Sequence, residues 1–224
     1  MIIVFSGVDC AGKSTQIELL KKEFLGQGIE SQSLWSRGGY TPGFELLKKL
    51  LRIVIGKKVI PFGRSKKKHK TMSNLFIRYL WLVIAMLDLL FLYAIIIRIK
   101  SFLGKVVICD RYLGDTFIDF SLNFPNNNFN KMWLWKLLIM AAPKPDISFL
   151  FILSVEKSIY RSTLKHEPFP DSKEILQQRL DMYKSSTLFD ADNWIKINGV
   201  DSIVSNANII KKKIFSILKI TNAA

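Results

Sequence analysis

Gly7, Gly12, Lys13 and Ser14 hold the spacing of a glycine, four residues, then Gly-Lys-Ser, in the run Gly7-Val8-Asp9-Cys10-Ala11-Gly12-Lys13-Ser14. Residues of these types at this spacing suit a polyphosphate. Glycines let successive backbone N–H groups converge on one anion, and a helix beginning at the same place adds positive potential. Lys13 then reaches the outer phosphates, and Ser14 offers an oxygen to Mg²⁺. A second constellation, Asp110-Arg111-Tyr112, closes the apolar run Val106 to Cys109, at the strand end where open parallel sheets bind their ligands. Asp110 there suits Mg²⁺, directly or through water, and Arg111 suits the charge on a transferring phosphoryl group. The bland alternatives are a glycine turn that only joins a strand to a helix, and an Asp-Arg pair that caps a helix.

The cradle works only after a buried strand and before a helix, and the flanking residues meet that condition. Met1 to Phe5 is a short apolar run rich in β-branched residues, which predicts a strand buried on both faces. Thr15 to Leu25 repeats apolar residues with the helical period and stops at Gly26 and Gly28. Ser31 to Trp35, Val106 to Cys109, Ile147 to Leu153 and Trp194 to Ile197 predict four more strands, with helical patterns between all five, including Phe44 to Ile55. Alternation of this kind implies an α/β sandwich, a five-stranded parallel sheet flanked by helices. Asn123 to Asn130 reads as a short polar loop.

The chain has 224 residues, enough for a substantial core and best fitted by one domain over 1–224. Hydrophobic residues make up 49% and charged residues 23%, which excludes a disordered polar chain. Two cysteines cannot build a disulfide framework, and two histidines leave no Cys/His metal spacing. A reducing cytoplasmic setting is therefore expected. The net charge of +15 suits phosphate-bearing ligands and also admits weak polyanion binding, although no aromatic-interleaved basic stripe is present.

With both constellations in view, the chain resembles the thymidylate kinase family, nucleoside monophosphate kinases of the P-loop NTPase fold. The family's G-x-D-G-x-G-K-S-T cradle is similar to Gly7 to Thr15, which reads G-V-D-C-A-G-K-S-T and keeps the unusual Asp9. The resemblance implies transfer of the γ-phosphoryl group of ATP to a nucleoside monophosphate, dTMP or a relative. ATP phosphates would lie on Gly7, Cys10, Ala11, Gly12, Lys13, Ser14 and Thr15, with Mg²⁺ on Ser14 and Asp110. Asp9 would face the acceptor's sugar, and Arg37, in Ser36-Arg37-Gly38-Gly39, would grip the acceptor phosphate. Lys13, Asp9, Arg111 and a lid cation would carry catalysis. Because Cys10 stands where some relatives place a cradle arginine, the resemblance puts that cation in a lid at about 160–172, at Arg161, Lys165 or His166. Arg179 and Tyr183, four apart on one helical face, are similar to an Arg-x-x-x-Tyr contact to the acceptor side. For the base, one register uses Phe76 with Arg78, and the other uses Asp88, followed here by Leu89 instead of arginine.

Tyr79 to Ile97 carries a single charge, Asp88. Nineteen such residues approach the length of a bilayer span. Three readings of the helix expected over about 72–102 stand: a homodimer interface, a helix at a membrane surface beside Lys66, Lys67, Lys68 and Lys70, or a pocket for an apolar acceptor. Rival functions follow from the same residues. One is a P-loop kinase of a non-nucleotide phosphorylated or apolar acceptor at a membrane surface, and the other is a non-catalytic polyanion- or membrane-binding protein.

Overall fold

A computed structural model describes residues 1–36, 75–125, 127–166, 171–185, 189 and 194–218, with the side chains of 75–77 left aside. Its contacts group into two compact units. The first comprises Met1–Trp35, Lys100–Ile118 and Lys144–Ala224, and the second Ser36–Ile99 and Asp119–Pro143.

In the first unit, β1 (Ile2–Gly7), β2 (Ser31–Trp35), β3 (Val106–Asp110), β4 (Ile147–Ile152) and β5 (Trp194–Asn198) form one all-parallel sheet in the order β2-β3-β1-β4-β5. The predicted α/β class and all five strands are present, with ends shifted by at most two residues. Every residue of β1 is buried, because β-branched and aromatic side chains on a central strand pack on both faces. Helix α1 (Lys13–Gly26) places Ile17, Leu20 and Phe24 on the sheet, where they meet Ile210, Ile214 and Phe215 of the C-terminal helix (Ile203–Leu218). From β1 the chain crosses β3 to reach β2, and from β3 it crosses β1 to reach β4. The two connections leave in opposite directions, which opens a crevice between the carboxyl ends of β1 and β3. Gly7 and Asp110 end those two strands.

The second unit is helical. Helix α2 (Leu75–Phe91) runs into a π-helical segment, Leu92–Ile97, and continues as α3 (Arg98–Phe102). Leu82, Ala85, Met86, Leu89, Leu92, Tyr93 and Ile97 are buried, whereas Leu87, Phe91, Ile95 and Ile99 are exposed along the other side. The stretch Arg78–Phe102 is long and apolar enough to cross a bilayer. In the π segment the Tyr93 hydroxyl shares a hydrogen bond of 3.0 Å with that of Ser36. Helix α4 (Leu113–Asn123) follows β3, and α5 (Trp133–Ala141) packs on α2 and is tied to Arg98, which donates to the Ala141 carbonyl at 3.0 Å. The segment read as a plain polar loop does more. Phe129, in a 3₁₀ turn over Phe129–Lys131, is buried edge-on against Trp135 and Phe120, at ring distances of 5.1 and 5.5 Å. Asn126 and the expected helix Phe44 to Ile55 lie outside the described residues.

Candidate active site

The cradle is built by backbone geometry. Gly7 has φ 127°, Cys10 φ 59° and Gly12 φ 100°, values that bend the strand back on itself before α1 begins. At Gly7 a Cβ would stand 2.1 Å from the Phe151 carbonyl oxygen of β4, so only glycine lets the two strands close there. Gly7→Ala is expected to cost on the order of 3 kcal/mol or more. Urea unfolding followed by circular dichroism checks this, and a midpoint equal to wild type would contradict it.

Lys13 opens α1 and turns back over the loop. Its ammonium donates to the carbonyls of Gly7 at 2.8 Å and Val8 at 2.7 Å. Burial, aided by the nearby Arg111 charge, lowers its pKa to about 8. The outer side of the loop is held by α6 (Val155–Leu164): the Ser158 hydroxyl donates to the Asp9 carbonyl at 2.8 Å, and Arg161 donates to the carbonyls of Cys10 at 3.2 Å and Gly199 at 2.9 Å.

Across the crevice, Asp110 ends β3. Burial raises its pKa, against the opposing pull of Lys13 and Arg111. Its Oδ1 is buried without a hydrogen-bond partner. A buried carboxylate oxygen lacking a donor, in a pocket shared with the Ser14 hydroxyl, fits a hard divalent cation that takes oxygen ligands. Arg111 follows with φ 77°, a strained backbone for arginine, and is buried with its guanidinium bonded to the Asp9 carboxylate. Its other amino group lies 3.6 Å from Asp115, which also accepts from the hydroxyls of Ser6 and Tyr183 and from the N–H groups of Tyr112 and Gly7. Burial and the Asp115 charge push the Tyr183 hydroxyl well above its ordinary pKa.

One pocket thus gathers Asp9, Cys10, Gly12, Lys13, Ser14, Thr15, Asp110, Arg111 and Lys165, together with Trp35, the last residue of β2 and one that no motif in the sequence singles out. Gly7 and Ala11 belong to the same loop. Arg161 does not line this pocket; it bonds the Cys10 carbonyl of the loop. Arg179 and Tyr183, on α7 (Lys173–Ser185), are buried with partners of their own: Arg179 lies 3.6 Å from Asp171, and Tyr183 bonds Asp115. Lys165 and His166 are exposed at the end of α6. Phe76 and Arg78 lie in the first turn of α2, within the second unit, and Arg37 is outside the described residues. Asp115 and Ser158 were missed. Asp115 three residues after Tyr112 reads locally as a helix-start acid, and only the fold brings Ser6 and Tyr183 to it.

A five-stranded parallel sheet with a Gly-rich strand-to-helix turn at its crevice defines the P-loop NTPase class of fold. No family model matches the chain. The probable thymidylate kinase of Thermococcus kodakarensis is 34% identical over 162 residues, 72% of this chain and 70% of the relative. That of Methanocaldococcus jannaschii is 29% identical over 188 residues, 82% of this chain and 79% of the relative. The thymidylate kinase of Bartonella henselae is 24% identical over 214 residues, 90% and 88% of the two chains. The chain belongs to the thymidylate kinase family.

Proposed function

We propose that the chain transfers the γ-phosphoryl group of ATP to dTMP, giving dTDP and ADP, as a cytoplasmic enzyme of nucleotide biosynthesis. The observation that carries this reading is the cradle itself, in which Asp9, Lys13, Ser14, Asp110 and Arg111 line one pocket in a chain similar to thymidylate kinases over most of its length. The rival readings, a non-nucleotide acceptor or a non-catalytic polyanion binder, have no such support.

Backbone N–H groups of the loop up to Thr15, beyond those of Gly7 and Val8 that bond Asp115 and Phe151, would hold the β- and γ-phosphates, with Lys13 leaving the loop carbonyls to meet them. Ser14 and Asp110 would hold Mg²⁺, which supplies charge neutralisation on the triphosphate when bound. Asp9 would orient the acceptor sugar, Arg37 its phosphate, and Phe76 with Arg78 its base. Arg111 would offset charge on the transferring group, with Lys165 closing from the lid. Arg161 would act in this scheme by holding the Cys10 carbonyl of the loop, and Arg179 and Tyr183 by holding α7 on the acceptor side. The acceptor is already anionic, so positioning and charge compensation suffice and no general base is required. Coupled detection of ADP and dTDP tests the proposal.

The exposed apolar row Leu87, Phe91, Ile95 and Ile99 supports a homodimer joined through the long helix. Asp88 favours this over insertion in lipid, where a carboxylate costs about 2.5–3.5 kcal/mol. Sedimentation of the chain in detergent-free buffer is expected to give twice the monomer mass, and Phe91→Glu the monomer. A wild-type monomer that floats with anionic liposomes would contradict the dimer and favour membrane contact.

A further inference from the structure

Asp115 does not line the pocket, yet its carboxylate binds groups from three of the elements around it. It is 1% exposed, and an ionised carboxylate so placed is costly unless donors surround it. Five do. The Ser6 hydroxyl and the Tyr112 N–H at 3.0 Å reach Oδ2, while the Tyr183 hydroxyl, the Gly7 N–H at 3.4 Å and the Arg111 guanidinium at 3.6 Å reach Oδ1. These donors come from β1, the first residue of the cradle, the turn into α4, and α7. Arg111 is thereby gripped on two edges, by Asp9 and by Asp115, which holds a guanidinium whose backbone is already in a left-handed conformation.

We propose that Asp115 is a positioning residue for phosphoryl transfer: it fixes the Arg111 guanidinium and the Gly7 N–H relative to each other, and through Tyr183 it fastens α7 to the cradle. The inference rests on the reading of Arg111 as a cation for the transferring phosphoryl group. Its chemistry is specific to a carboxylate. In Asp115→Asn, whichever way the amide turns, its NH₂ faces donors: the Ser6 hydroxyl and Tyr112 N–H on one side, or the Tyr183 hydroxyl, Gly7 N–H and Arg111 on the other. Hydroxyls can rotate to accept, but an N–H and a guanidinium cannot. In either case Arg111 loses the ionic half of its grip, because the amide carries no charge, and in the second it also faces a donor.

The test is a double-mutant cycle on the full chain, with kcat and KM measured for ATP and dTMP. Asp115→Asn is expected to lower kcat about 30-fold or more while KM for ATP changes less than about threefold. In an Arg111→Ala background the same substitution should cost less than about threefold, because the group it positions is gone. Equal costs in both backgrounds would overturn the proposal, since a purely structural Asp115 would act additively. Should Asp115→Asn not fold, Tyr183→Phe takes its place in the cycle, with the same sub-additivity expected and the same additive outcome overturning it. A second readout needs no turnover. Exchange of the Arg111 guanidinium N–H protons, followed by NMR, should quicken at least about tenfold in Asp115→Asn or Tyr183→Phe, and unchanged exchange would overturn the proposal. A wild-type chain unable to phosphorylate dTMP would count against the proposed function, and the exchange rates would then decide the role of Asp115 alone.

Discussion

Lys13→Ala is expected to lower kcat by about 10²-fold or more, the loss seen when one preorganised donor is removed from a developing charge. Its position explains the size of the effect. The ammonium is buried and already folded back over the cradle, 2.8 and 2.7 Å from two loop carbonyls, so it has only to turn from those carbonyls to meet a phosphate. With its pKa lowered to about 8, the group remains mostly protonated at pH 7. Loss of that charge as the pH rises through about 8 should therefore weaken ATP binding in the free enzyme. Lys13→Met keeps the stem and removes only the charge, so it should lose nearly as much activity as alanine. Steady-state kinetics on both variants, with circular dichroism to confirm folding, makes the comparison. Activity within a few-fold of wild type in either would remove Lys13 from the mechanism.

Asp110→Asn should separate activity from stability. Asp110 has a raised folded-state pKa because burial disfavours its ionised form, and the attraction of Lys13 and Arg111 only partly offsets this. A raised pKa means that the carboxylate favours folding below its unfolded value and opposes it as the pH rises through the folded one. At pH 7 the variant should therefore melt at a higher temperature than wild type, with the gain fading as acid protonates Asp110 in the wild type. Catalysis should move the other way. The partnerless Oδ1 is the oxygen best placed for Mg²⁺, so kcat should fall by roughly 10²-fold and the Mg²⁺ concentration for half-maximal rate should rise at least tenfold, in line with losing a metal-held clamp on the phosphates. EDTA should silence the wild-type chain. A variant with unchanged Mg²⁺ dependence would take Asp110 out of the metal site.

The division between what was legible in the sequence and what was not follows the range of the interactions. The cradle is eight contiguous residues whose types and spacing can be read without the rest of the fold, although the need for glycine at Gly7 comes from Phe151 of β4 as well as from its positive φ. The strands were legible for a similar reason, since a buried parallel strand such as Ile2–Gly7 is a continuous apolar run that needs no partner to be recognised. Contacts made at long range show the limit. Arg161 bonds the carbonyls of Cys10 and Gly199, which lie 151 and 38 residues away. Asp115 and Tyr183 lie 68 residues apart, and Ser158 and Asp9 149 apart. No local pattern records such pairs. Phe129 was hidden by the asparagines around it, because its burial depends on Phe120 and Trp135 arriving from two helices. The π-helical segment Leu92–Ile97 contains no proline or glycine to announce it, and it carries the Tyr93 hydroxyl that meets Ser36.

The most direct test of the central claim is a product assay with ATP, Mg²⁺ and each common ribo- and deoxyribonucleoside monophosphate in turn, resolving every nucleotide by chromatography. The expected result is dTDP and ADP formed in equal amounts from dTMP, with the other acceptors far slower. Absence of dTDP from the wild-type chain, with ATP intact or hydrolysed without a phosphorylated acceptor, would contradict the account.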